Sequence, residues 1–120
     1  HRKLIRNEYT NAVLVLNHNG VGQADPALSH KLATNYFRTL IELGQHPAAI
    51  VFYAEGVKLV ATGSACQKEL EELSAIGVSL IACRTCLDYY GLLDKVVVGE
   101  VGNMMRIVEA QASADKVITL

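Results

Sequence analysis

The sequence lacks any large excess of charge of one sign. Its 120 residues carry 11 basic and 12 acidic side chains, for a formal net charge of −1. Proteins that bind nucleic acids or anionic membrane surfaces need a concentrated positive field, so neither partner is expected. The sequence also has no apolar run that approaches the roughly 20 residues needed for a membrane-spanning helix. Hydrophobic residues nevertheless make up 51% of the chain, which excludes disorder and predicts one domain with a buried core.

Cysteine is scarce and occurs an odd number of times, as Cys66, Cys83 and Cys86. An odd number of cysteines argues against a disulfide-stapled extracellular scaffold. We therefore expect a cytoplasmic protein, in which a closely spaced cysteine pair indicates chemistry or metal binding.

Short apolar runs alternate with segments of helical spacing, which predicts an α/β domain. Continuous apolar runs are typical of strands covered on both faces of a sheet. The short connections favour a three-layer sandwich with a mostly parallel sheet of about five strands. The strands are predicted over residues 12–17, 48–54, 78–82, 95–99 and 116–120.

The first two predicted helices have clear end signals. Asp25 fits the N-cap of the first helix, Pro26 its first position and Gly44 its end. Ser64 and Gln67 fit a capping box at the start of the second helix. Apolar residues at helical spacing in the first helix are Leu28, Leu32, Phe37, Leu40 and Ile41. The apolar face predicted for the second comprises Cys66, Leu70, Leu73 and Ile76, with Cys66 as a small buried hydrophobe.

Functional groups of parallel sheets gather at the carboxyl ends of the strands, where three loops fall over residues 18–25, 55–63 and 83–86. The first loop contains Gly20 and Gly22, but Asp25 stands where a dinucleotide-binding motif has its third glycine. An acidic side chain is unfavourable beside a phosphate, and the lysine and hydroxyls of a phosphate cradle are missing. A plain turn is favoured, and no cofactor is expected.

The stretch VSLIACRTCLDYYG, residues 78–91, places Cys83 where a predicted strand leads into a short helix. The unpaired amides and positive dipole end of a helix stabilise a thiolate, and Arg84 adds positive charge nearby. We therefore predict one exposed nucleophilic thiol that carries sulfur, with Cys86 as its companion.

Three other interpretations of this pair stay open. A zinc site normally has four ligands, but the chain has a single CxxC, and His18, His30 and His46 lack a metal-binding spacing, so no metal is expected. A thioredoxin-like couple would follow the first strand and face a proline, whereas the only prolines are Pro26 and Pro47. The third interpretation is a pair of buried structural thiols.

Together, AVLVLNHNGVG, GVKLVATGS, VSLIACRTCLDYYG and ADKVITL resemble the DsrE family, which includes TusD-type sulfur-relay proteins. Within that family the chain is most similar to the carboxy-terminal domain of YedF-type, sulfurtransferase-like selenium-metabolism proteins. These resemble a SirA/TusA-like domain fused to a DsrE-like one. The resemblance implies such a domain ahead of this chain, which begins with His1 rather than methionine. Residues 1–11 would be the linker or extension and residues 12–120 the DsrE-like domain.

The resemblance also implies a persulfide on Cys83, with Cys86 assisting its transfer. Family members have a cysteine at the end of a strand, followed by a short helix that ends near a glycine, here Gly91. Many relatives have an arginine directly before that glycine, where this chain has Tyr90.

Four residues are candidates for substrate binding: Arg84 and Lys58, either of which can replace the missing cation, Asn17 at the end of the first predicted strand, and Gly20 of the first loop. Sulfur-donor and sulfur-acceptor proteins are the implied partners, and self-association is expected because family members commonly form oligomers. The implied cargo is sulfur or selenium. Two other functions stay open: a non-catalytic oligomeric binding module, and a thiol–disulfide redox switch.

Overall fold

Five parallel strands form one sheet in a computed structural model of the protein, which describes residues 6–120. The strands are β1 (Ala12–Leu16), β2 (Ala49–Phe52), β3 (Ser79–Cys83), β4 (Glu100–Gly102) and β5 (Lys116–Thr119). The helices are α1 (Pro26–Leu43), α2 (Gln67–Ala75), α3 (Arg84–Tyr89) and α4 (Met104–Ala112), and a 3-10 helix spans Ala54–Val60.

The strand order across the sheet is β4-β3-β2-β1-β5, and every pairing is parallel. The chain therefore moves outward in one direction from β1 to β4 and then returns to place β5 beside β1. Since crossovers between parallel strands are right-handed, α1 and α2 lie on one face and α4 on the other. The contacts agree, because α1 packs against α2, whereas α4 packs against β3 and β4. The predicted α/β sandwich with a parallel sheet is confirmed.

The core lies on both faces of the three central strands. All residues of β1 and β2 are buried, as expected of strands covered on both sides. Large side chains from the helices complete the core, namely Phe37, Leu40, Leu70, Leu73 and Ile107.

Both ends of α1 match the sequence prediction. The Asp25 carboxylate accepts a hydrogen bond from the amide of Leu28 at 3.1 Å, and Gly44 ends the helix with a left-handed φ of 69°. The buried face of the first turn differs from the apolar pattern, because Leu28 is 47% exposed and Ser29 is buried. Gly20 of the first loop lies directly against Ser29, which covers that side chain.

The predicted capping box of α2 is wrong. The helix begins at Gln67 after Cys66, and the Ser64 hydroxyl accepts a hydrogen bond from the Cys66 amide in the turn before it. Cys66 is buried as predicted, but Ile76 follows the end of the helix and is 46% exposed.

Two predicted strands have different bounds. β2 ends at Phe52, because Ala54 adopts a left-handed φ of 46° that no strand accommodates. Residues 95–99 do not form the fourth strand. Val96 makes a single bridge to Ala61, and β4 starts only at Glu100, after Gly99 (φ 84°) has passed close to the backbone of β3.

The end of the predicted linker is docked on the domain. The Asn7 side chain donates to the carbonyl of His46 and accepts from its amide, at 2.8 and 3.0 Å. The buried Gln45 amide donates to the carbonyl of Arg6 and accepts from the amide of Glu8. The rest of that predicted linker, residues 1–5, lies outside the described residues.

Candidate functional site

Both cysteines of the CxxC motif lie at the carboxyl edge of the sheet. Cys83 is the last residue of β3 and the N-cap of α3, and Cys86 follows in the first turn of that helix. Both thiols are free, and Cys83 lies near enough to Cys86 to raise the pKa of its thiol. The two thiols are therefore neighbours where β3 leads into α3.

The accessibility of the two thiols differs from the sequence prediction. Cys83 was expected to be exposed, but only 2% of its surface is accessible, whereas Cys86 is partly exposed. The reason is that β3 is an internal strand, and Cys83 is still paired with Gly102 of β4 at its last position. Cys86 is thus the member of the pair that reaches solvent.

A backbone amide holds the sulfur of Cys86. The N–H of Ala54, at the start of the 3-10 helix, donates to Cys86 Sγ with a nitrogen–sulfur distance of 3.1 Å. Burial raises the pKa of the Cys86 thiol, the Ala54 amide opposes that shift, and Cys83 adds to it. The amide therefore favours the thiolate in a site where the other influences favour the thiol.

Tyr53 is a neighbour of the thiols that the sequence did not indicate. Burial, followed by the proximity of Cys83, raises the pKa of the Tyr53 phenol, and Gln111 of α4 opposes this shift. The register pairs Phe52 with Ala82, so the next residue of each strand falls at the same edge. A correct end for β2 would have identified Tyr53 from the carboxyl-edge rule.

The two candidate cations occupy different places. Lys58 Nζ donates to Glu55 Oε1 at 2.9 Å and lies 4.9 Å from the centroid of the Tyr90 ring. This hydrogen bond lowers the pKa of the Glu55 carboxyl. Arg84 is exposed at the first position of α3. Lys58 is therefore the cation that the fold brings to the residue directly before Gly91.

Asn17 and Gly20, the other two candidates, lie near the end of β1 and are not among the residues that line the cavities beside Lys58. Asn17 is exposed directly after β1. Gly20 is buried with a φ of 147°, and a Cβ atom there would overlap the side chain and backbone of Ser29. This close approach gives Gly20 a packing role, since only glycine fits so near the helix.

Two adjoining cavities, of approximately 560 and 360 Å³, lie beside Lys58. Asn19, His30 and Lys58 line both of them, and neither cysteine is among the described lining residues. Sequence reasoning missed Asn19 and considered His30 only as a metal ligand. The carboxyl-edge rule indicates Asn19 through its loop, but His30 lies inside α1 and carries no such signal.

Within residues 6–120, no group of three or more histidine, cysteine, aspartate or glutamate side chains is placed to hold a metal ion. No helix in that same part of the chain is long and apolar enough to cross a membrane.

The fold and the site define a class of protein: an all-parallel α/β domain with a pair of thiols where a central strand ends. The chain belongs to the DsrE/DsrF-like family, which matches residues 11–120. This family is associated with sulfur relay between partner proteins. No curated protein matches the chain.

Solved structures show the same fold. The ychN protein of E. coli is 25% identical, with a TM-score of 0.67 over 92% of this chain and 99% of that one. MTH1491 of Methanobacterium thermoautotrophicum is 21% identical, with the same TM-score and coverage. BT1422 of Bacteroides thetaiotaomicron is 18% identical, with a TM-score of 0.60 over 92% of this chain and 95% of that one. The likeness to the last two concerns the fold alone.

Proposed function

We propose that this protein is a sulfur carrier that holds a persulfide on Cys83 and passes the outer sulfur to a partner protein, with Cys86 assisting. The observation that carries the proposal is the placement of two free thiols side by side where β3 ends and α3 begins. Membership in a family associated with sulfur relay supports it.

The burial of Cys83 suits the storage of sulfur. A persulfide is lost when small thiols in solution attack it, and access controls the rate of such exchange. With 2% of its surface accessible, Cys83 is shielded from that attack. Transfer between thiols needs no metal, cofactor or catalytic triad, because one sulfur–sulfur bond forms as another breaks.

The other parts of the proposal concern the surroundings of the thiols. Lys58 is proposed to stabilise the anionic sulfur, with Arg84 and Asn17 as further substrate-binding residues, whereas Gly20 shapes the first loop through its packing on Ser29. The proposed cargo is sulfur or selenium, as the resemblance to YedF-type proteins implies. We also propose that a SirA/TusA-like domain precedes residues 1–11 and that the protein is cytoplasmic. Among the proposed substrate-binding residues, Lys58 has the strongest geometric support through its contact with Tyr90.

Intact mass measurement tests the carrier function. After incubation with a cysteine desulfurase and cysteine, followed by a wash with a small thiol, the wild type should retain one extra sulfur atom. Cys83→Ser should retain none, and the matched control Cys66→Ser should retain it, because Cys66 is the fully buried N-cap of α2 and not part of the CxxC motif. A wild type that gains no sulfur, alone or joined to a SirA/TusA-like domain, would overturn the proposal.

A thiol–disulfide switch is the second candidate, favoured by the same placement of two free thiols at the β3–α3 junction. A peroxide would oxidise both thiols to one disulfide and be reduced to water in the process. The chain should then lose two hydrogen atoms in mass, and either single cysteine variant should prevent that loss. Retention of both hydrogen atoms under mild oxidant would exclude the switch.

We also propose that the protein self-associates through an apolar patch on β4 and α4. Val101, Met104, Met105 and Val108 expose 36 to 71% of their surfaces on neighbouring elements. Contiguous exposed apolar residues mark interaction surfaces in soluble proteins. A second copy of the chain is the proposed partner.

A further inference from the structure

We propose that Cys86, not Cys83, receives sulfur from the donor, and that the backbone N–H of Ala54 is the fixed group that positions the receiving sulfur. This inference rests on the proposed carrier function and assigns an order to its two thiols. Sulfur would enter at the outer thiol and be stored on the inner one.

Access to the two sulfurs supports this order. The terminal sulfur of a protein-bound persulfide must come into direct contact with the attacking thiolate. Cys83 is 2% accessible and paired within the sheet, so a protein donor reaches it only if the edge of the fold opens. Cys86 is partly exposed and Ala54 beside it is exposed. The outer thiol is therefore open to a docked donor in the closed fold.

The backbone at Ala54 gives the second line of support. Ala54 is the only residue other than glycine with a positive φ within residues 6–120, a conformation that is strained for an alanine. Its N–H donates to Cys86 Sγ at 3.1 Å. Strain of this kind persists where the surroundings impose it, and here it accompanies a hydrogen bond from the backbone to a reactive side chain.

Neighbouring contacts hold the Ala54 amide in place. The Tyr53 amide donates to the carbonyl of Leu16 at 2.9 Å, and the Gly56 amide donates to the carbonyl of Tyr53 at 2.7 Å. Gly56 also packs directly against the Leu16 carbonyl. The segment on both sides of Ala54 is thus fixed to the end of β1, so the N–H direction is set before any donor arrives.

The two steps balance without an oxidant or a reductant. The Cys86 thiolate attacks the outer sulfur of the donor persulfide, R–S–SH; the donor's sulfur–sulfur bond breaks, and R–S⁻ leaves. The Cys83 thiolate then attacks the same sulfur atom on Cys86–S–SH, and Cys86 departs as a thiolate. In both states the Ala54 N–H faces a sulfur that gains or carries negative charge, as an oxyanion hole does for oxygen.

Single-turnover loading tests the order. A persulfide donor protein is mixed with each variant, quenched within seconds by an alkylating agent and mapped by peptide mass. Cys83→Ser should trap sulfur on Cys86, whereas Cys86→Ser should load Cys83 at least tenfold more slowly than the wild type. Loading of Cys83 at the wild-type rate in Cys86→Ser would overturn the inference while leaving the carrier function intact. Failure of the wild type to load would count against the carrier function itself.

A second measurement tests Ala54 without any sulfur donor. The full chain is prepared by ligation at Cys66 with lactic acid in place of Ala54, which replaces the N–H by an ester oxygen and keeps the side chain. Alkylation of Cys86 by iodoacetamide at neutral pH should slow several-fold, since the thiolate loses its donor. Ala54→Gly, which keeps the N–H and tolerates a positive φ, should alkylate within about twofold of wild type. An ester variant with unchanged Cys86 reactivity would overturn the role of Ala54.

Discussion

The ammonium group of Lys58 lies 4.9 Å from the centroid of the Tyr90 ring. Tyr90 occupies the position before Gly91 where the family resemblance implies an arginine in many relatives. A cation is therefore present at this position in space, although it comes from the 3-10 helix instead of from α3. The sequence left open whether Lys58 or Arg84 replaces the missing arginine, and the contact with Tyr90 favours Lys58.

Replacing this cation should slow sulfur loading more than it affects folding. In Lys58→Met, the rate of persulfide formation from a desulfurase should fall several-fold, because a developing sulfur anion loses a nearby positive charge. Thermal stability should change little, since Lys58 and Glu55 form an exposed ion pair. Lys95→Met, which removes an exposed lysine 4.0 Å from Asp94, is the matched control. Equal loading rates in both variants would exclude a role for Lys58.

Removing the inner thiol should make the outer one easier to ionise. Burial raises the pKa of Cys86 and Cys83 raises it further, so Cys83→Ala should shift the alkylation profile of Cys86 to lower pH. The midpoint should stay above that of a free cysteine, because the larger cause, burial, remains. The measurement is the iodoacetamide rate at Cys86 between pH 7 and about 10. Cys66→Ala should leave the midpoint unchanged. A midpoint in Cys83→Ala equal to that of the wild type would contradict the effect of Cys83 on the pKa of Cys86.

The parts of the fold set by local rules were predictable from the sequence. The ends of α1 follow from Asp25, Pro26 and Gly44, and continuous apolar runs located the central strands. The fourth strand was predicted at residues 95–99 because this segment is rich in valine, which favours strands. Pairing with β3 begins only at Glu100. Such register depends on tertiary contacts that no local pattern records.

The candidate site was predictable in position but not in detail. The rule on carboxyl ends of strands located Cys83 and Cys86 at one edge. The burial of Cys83 depends on its pairing with the neighbouring strand β4. The spacing of residues along the sequence cannot reveal such a tertiary contact. Ala54 gave no signal at all, because alanine carries no preference for a left-handed backbone.

The close packing of Gly56 predicts a large effect from a single methyl group. A Cβ atom there would overlap the carbonyl oxygen of Leu16, so Gly56→Ala must displace the 3-10 helix or the end of β1. We expect a loss of about 1–3 kcal/mol in the free energy of unfolding, together with altered alkylation of Cys86. Gly63→Ala is the control, with open space around it and a cost of about 1 kcal/mol from its φ of 88°. Denaturant unfolding of both variants compares the two costs, and equal losses would contradict the steric argument.

Self-association should depend on the apolar patch of α4. Met105→Glu places a charge on a side chain that is 71% exposed in the monomer, so folding should be unaffected while the apolar contact between copies is weakened. Light scattering after gel filtration should show an oligomer for the wild type and a smaller species for the variant. Glu71→Gln, exposed on α2 at the opposite face of the sheet, is the control for a change of charge outside the patch. A monomeric wild type would rule out this assembly.

The buried thiol of Cys66 should make the protein less stable at alkaline pH. Burial raises the pKa of this thiol from near 9 to about 11, so between these values the folded chain keeps a proton that the unfolded chain releases. Stability therefore falls as pH rises through this window, by up to roughly 2–3 kcal/mol at about 1.4 kcal/mol per pKa unit. Cys66→Ala should be about 1 kcal/mol less stable at pH 7 through lost packing, and its deficit should shrink or reverse by pH 11. Denaturant midpoints measured across that range provide the comparison, and parallel curves for the two proteins would show that Cys66 does not titrate in the folded state as expected.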